Sequence, residues 1–143
     1  MGTYTEFKFA ARLKHDTPKE VIQFLQKVIV ERNIGVENTF FKTEDVEKPK
    51  LNHPFFQTER WYMLFLSNNF SDDIITSQFK FLKNRWEITI HSEFKNYDDE
   101  IELFIDWIKP YVIGRKKKQY VGYYNVEGHD KNINIYIERF NNS

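Results

Sequence analysis

His91 stands four residues after Glu87 and two before Glu93. In an extended strand that spacing brings all three side chains to one surface. An imidazole between carboxylates can hold a proton near neutral pH or help to bind a cation. The other histidines, His15, His53 and His129, fall in stretches that read as loops and turns, so no second ligand stands at metal-binding spacing and no metal site is expected. A sheet face of mixed charge turned to water accounts for the same three residues.

A second group lies further on, where Arg115, Lys116, Lys117 and Lys118 precede Tyr120, Tyr123 and Tyr124. Basic side chains interleaved with rings can grip a phosphate backbone while bases stack. Here Asp98, Asp99, Glu100, Glu102 and Asp106 on the adjoining helix offset the charge, and lysines at a turn also guard an edge strand against stray pairing. Nucleic acid is therefore not expected as a partner. The paired acids Asp72-Asp73 and Asp98-Asp99 suit a turn and a helix start. No phosphate loop, dinucleotide fingerprint, nucleophile elbow or zinc motif occurs, so neither an enzyme nor a bound cofactor is expected.

The elements that must carry these groups follow from periodicity. Residues 3–13 alternate, with Phe7, Phe9, Ala11 and Leu13 on one side and Glu6, Lys8 and Arg12 on the other. Thr17-Pro18-Lys19-Glu20 has the form of a helix start, with Thr17 as cap, and Val21, Ile22, Leu25, Val28 and Ile29 form its apolar stripe as far as residues 33–35. Residues 34–60 hold Phe40, Phe41, Phe55 and Phe56 between Pro49 and Pro54, which predicts an irregular connection whose rings cap one end of the core. Residues 61–66 are apolar on both faces and predict an interior strand. Residues 68–73 predict a loop, residues 77–82 a strand, Lys83-Asn84 a tight turn, and residues 85–94 a strand of strict alternation. A second helix over residues 97–110 carries Tyr97, Ile101, Phe104, Ile105 and Ile108 on one side and ends or bends at Pro110. Strands at residues 120–126 and 133–138 close the chain, joined through Gly128-His129-Asp130.

With 143 residues, 25 of them aromatic (Phe 14, Tyr 8, Trp 3), the chain can bury one substantial core as a single domain. Its 21 basic and 21 acidic side chains leave no net charge to draw it to nucleic acid or membrane. It has no cysteine, which excludes disulfides and thiolate chemistry and fits a reducing compartment. No apolar run reaches membrane-spanning length and the N-terminus lacks a signal-peptide pattern, so a soluble cytoplasmic protein is expected.

The strand-and-helix plan occurs twice. Thr5, Phe7, Phe9, Ala11 and Leu13 share their phase with Trp86, Ile88, Ile90, Ser92 and Phe94, and Glu20 and Phe24-Leu25 match Glu100 and Phe104-Ile105. The expectation is an α+β two-layer sandwich, a mainly antiparallel sheet of about six strands with two helices on one face, built from duplicated β-α-β-β units at about 3–82 and 85–140. On these matched residues the topology resembles that of the gyrase-inhibitor-like and transcription-regulator effector-binding domains. That resemblance implies a groove between the halves for a small amphipathic ligand. The residues themselves favour a protein-interaction module without catalytic activity, because tyrosines such as Tyr4, Tyr62 and Tyr136 stand where polar faces are expected. The candidate contact residues for a partner protein or ligand are Trp61, Tyr62, Glu87, His91 and Tyr136. Trp86 is expected in the core, and Trp107 only partly buried at a helix flank.

Overall fold

The computed structural model describes residues 4–31, 53–58, 61–65, 77–114 and 117–138. They form an α+β fold, a five-stranded antiparallel sheet with two α-helices. The strands are β1 (Thr5–Arg12), β2 (Gln78–Leu82), β3 (Arg85–Phe94), β4 (Lys118–Val126) and β5 (Ile133–Glu138), in the order β2-β3-β1-β4-β5. The helices are α1 (Lys19–Leu25), which continues as a π-helical stretch over Gln26–Glu31, and α2 (Glu100–Ile108). Among the described residues no helix is long and apolar enough to cross a membrane.

The alternating residues set the pairing. β1 and β3 are central neighbours, with Phe7 opposite Ser92, Phe9 opposite Ile90 and Ala11 opposite Ile88. Register is strongly specified here because a slip by one residue would move Phe7 and Phe9 out of the core. Lys83 and Asn84 both take positive φ (52° and 65°) and join β2 to β3, as a two-residue hairpin turn requires. β4 pairs with β1 from Thr5↔Val126 to Phe9↔Gly122. An irregularity between Tyr120 and Gly122 in its pairing with β5 leaves Val121 as an extra residue. Gly122 has φ 151°, and a Cβ there would collide with the Lys8 carbonyl, so no other residue fits this crossing.

The periodicity predicts about six strands, and five are found among the described residues. Residues Trp61–Phe65 form a 3-10 helix instead of a strand. Trp61, Leu64 and Phe65 are all buried, a spacing of three and four that belongs to a helical turn, while Tyr62 and Met63 are half-buried. A second short 3-10 helix, Pro54–Gln57, buries Phe55 and Phe56, so these two rings do close the core as expected. Phe40, Phe41, Pro49, Leu66, the 68–73 loop, Arg115 and Lys116 lie outside the described residues.

Nearly half of the buried apolar side chains among the described residues are aromatic. Phe104 of α2 meets Phe9 at 5.2 Å and Phe7 at 6.1 Å, both edge to face. Trp107 lies against Phe56 at 5.1 Å and Phe24 of α1 at 5.9 Å. Trp107 is therefore a core residue, 3% exposed, and not the half-exposed flank expected from the helical stripe. Its neighbours Phe55 and Phe56 come from a distant segment that covers this side of α2, and the stripe of one helix carries no trace of them. Trp86 is the half-buried one, stacked on Phe79 with ring centroids 4.6 Å apart.

The helix starts also differ from expectation. Pro18 takes the cap position of α1 and no side chain caps it, while the Thr17 hydroxyl donates to the Lys14 carbonyl (2.6 Å) to tighten the preceding turn. At α2 the Asn96 carbonyl oxygen accepts the Ile101 amide (2.9 Å) and Glu100 accepts the Asp98 amide (3.0 Å), so the start is held by side chains on both sides of Asp99.

Candidate functional site

The sheet face opposite the core carries the polar residues of β1 and β3. Glu87 does not meet His91. It pairs with Arg12 across the strands at 3.1 Å. His91 reaches diagonally to Glu6 of β1, with Nε2 2.7 Å from the carboxylate. Glu6 stands directly opposite Glu93, a juxtaposition of like charges that costs stability unless something intervenes. The His91 imidazole gives the Glu6 carboxylate a hydrogen-bond partner there. His91 thus serves as a bridge between neighbouring strands. Among the described residues no three histidine, aspartate or glutamate side chains are arranged to hold a metal ion.

His53 is likewise a structural clamp. Its Nδ1 accepts the Phe55 amide (3.1 Å), which leaves the proton on Nε2 to be donated to Asp106 of α2 (2.9 Å). With both nitrogens engaged, the ring ties the Pro54–Gln57 turn to the helix. The His53 bond, followed by Lys109 at 3.1 Å, holds the Asp106 carboxyl below its usual range.

The β4–β5 hairpin presents a different surface. Tyr120 stands opposite Tyr136, their rings meet at 5.5 Å in a T-shaped contact, and the Lys118 ammonium lies 4.7 Å over the Tyr136 ring. Tyr120 and Tyr136 remain 48% and 43% exposed, and Ile133 on the same edge strand is 48% exposed. Nearby, burial pushes the Tyr123 phenol up, with Glu6 adding to the effect.

A groove of about 550 Å³ opens where β4 leaves β1 after Phe9↔Gly122, although β1 stays paired with β3 as far as Arg12↔Glu87. Ala10, Arg12, Glu87, Thr89, Gln119 and Val121 are among its lining residues.

The five expected contact residues are therefore dispersed. Trp61 is 2% exposed in the aromatic core, and Tyr62 is half-buried beside it, ring to ring at 6.1 Å. Glu87 and His91 lie on the central strands, in two separate pairs. Tyr136 alone among them is an exposed ring. Its companion Tyr120 belongs by sequence to the basic, tyrosine-rich stretch, and its place opposite Tyr136 follows only once the hairpin register is known. The Arg12 contribution to the groove depends on a cross-strand pair that no local sequence signal marks. Comparison with family models, with curated proteins and with solved structures finds no match to this chain.

Proposed function

We propose that the protein is a non-enzymatic interaction module that receives a partner protein on its β4–β5 hairpin. The observation that carries this reading is the exposed Tyr120–Tyr136 pair beside β5, the outermost strand among the described residues. Ile133–Glu138 contains neither lysine nor proline, the residues that usually blunt an exposed edge. An extended segment of the partner adds to such an edge through main-chain hydrogen bonds, and the tyrosines supply rigid area with a hydroxyl. The absence of cysteine supports a cytoplasmic setting.

A photo-crosslinking amino acid placed at Tyr136 identifies the partner, and the purified pair then tests the site. Tyr120→Ala/Tyr136→Ala is expected to weaken binding at least about ten-fold while its melting midpoint stays near that of the parent. Full affinity in the double variant would sink the proposal.

A second reading, a small amphipathic ligand held between two halves, is supported by the groove of about 550 Å³, a size common for ligand sites. The finer architecture, two layers of duplicated β-α-β-β units, belongs to this reading. Its support is the central β1–β3 pairing, in which Phe9 and Ile90, matched by sequence phase, are also partners. The 3-10 helix at Trp61–Phe65 weighs against it, since a strand is required there. Filling the groove by Ala10→Trp, at an exposed position of β1, separates the two readings: it abolishes ligand binding and leaves the tyrosine surface intact.

A further inference from the structure

At one end of the sheet two tight turns meet. The Leu13 amide donates to the Trp86 carbonyl (2.9 Å), which sets Lys14 and His15 beside the hairpin turn that ends in Arg85. The Lys14 amide donates to Tyr111 (2.8 Å), and its carbonyl accepts both the amide and the hydroxyl of Thr17. Both turns are thus pinned through their backbones. Between them and the start of α1 lies a cleft of about 310 Å³, lined by Lys14, His15, Lys19, Arg85, Phe81 and Trp86 among others.

Three features distinguish this cleft. Among the described residues its lining includes no carboxylate. None of Lys14, His15, Lys19 or Arg85 makes an ion pair among the described residues, whereas Arg12, His53, His91 and Lys109 all do. In a chain with no net charge, this clustering of cations is local. Finally, one wall is aromatic: Phe79 stacks on one side of Trp86 and does not line the cleft, while Phe81, 55% exposed, meets the indole edge to face at 5.3 Å. Lysine and arginine recognise phosphate as a point charge and as a fork of donors, and an indole or phenyl face accepts a stacked base. The cleft is at the small end of ligand sites, enough for a single base and phosphate.

The geometry points to a binding site for a mononucleotide, its phosphate held by Lys14, Lys19 and Arg85 and its base placed against Phe81 and Trp86. The site stands apart from the tyrosine hairpin and does not depend on the partner proposed for it. AMP is the probe, with adenosine, inorganic phosphate and a 5′-phosphorylated adenosine trinucleotide for comparison, read by tryptophan fluorescence and calorimetry. Trp61 and Trp107 are buried, so Trp86 is the tryptophan that reports the site. AMP is expected to quench the emission saturably, and adenosine and phosphate each to bind at least about ten-fold more weakly, because each keeps only half of the contacts. Arg85→Ala and Lys14→Ala/Lys19→Ala are each expected to weaken AMP at least about ten-fold at an unchanged melting midpoint, and added salt to weaken it further. In Trp86→Phe the optical signal disappears while calorimetry still detects binding. Absence of saturable AMP binding, or parental affinity in both cation variants, overturns the proposal. Tighter binding of the trinucleotide than of AMP overturns it too, in favour of a nucleic-acid strand.

Discussion

Trp107 and Tyr136 make nearly the same kind of ring contact in opposite surroundings. Trp107 meets Phe24 edge to face at 5.9 Å and an interplanar angle of 84°, and Tyr136 meets Tyr120 at 5.5 Å and 65°. The local geometry reflects the ring quadrupole and is indifferent to depth. Exposure separates the two: Trp107 is 3% exposed beneath rings from α1 and the Pro54–Gln57 turn, whereas Tyr136 is 43% exposed on the outermost described strand. An aromatic pair therefore marks neither core nor surface by itself. What covers its outer side decides whether it stabilises the fold or remains available to a partner.

Truncating Trp107 to alanine should have the largest effect on stability, about 3–5 kcal/mol, since it removes a buried ring from a cluster with little room to collapse. A change in denaturation free energy below about 1 kcal/mol would break the comparison at its core end. Trp86→Ala should fall between the two regions, roughly 1.5–3 kcal/mol, because its indole is half-buried but stacked on Phe79. If it exceeds Trp107→Ala, the centre of packing lies at the β2–β3 end and not under α2.

The smallest effect concerns acid. The Asp106 carboxyl is held down by its bond to His53 and then by Lys109, so its contribution is present above the usual carboxylate value of 3.8 and is lost as pH falls from there through the lower folded value. Its side chain is 56% exposed, which keeps that contribution within the range of surface pairs, about 0–1 kcal/mol. Asp106→Asn should consequently flatten the acid limb of the stability curve slightly below pH 3.8, measured by urea denaturation against pH. An unchanged acid limb would show that His53 holds the Pro54–Gln57 turn without help from this charge.

Elements whose instructions are local were legible. The alternation of Phe7 and Phe9, and of Ile88 and Ile90, matches strands that carry those residues into the core, and Lys83-Asn84 makes the expected turn between β2 and β3. Ile101, Phe104 and Ile108 are buried along α2 at helical spacing. Trp61, Leu64 and Phe65 also carried helical spacing, but the unbroken apolar run of residues 61–66 concealed it behind the form of an interior strand. The candidate sites were less legible, since each is assembled from segments far apart in the chain. Glu6 reaches His91 across 85 positions, and Lys14 joins Arg85 only because Leu13 bonds to Trp86.

By itself, then, the sequence determined the strand periods, the β2–β3 turn, the two helices and the lack of thiol chemistry. These depend on side-chain alternation, backbone preference and composition, all of which act over a few residues. Tertiary structure decided which rings are core and which are surface, which carboxylate each histidine meets, and where cations gather unpaired. Those outcomes depend on register and on distant segments arriving at the same place, and burial and Coulomb energy respond to distance in space, not to separation along the chain.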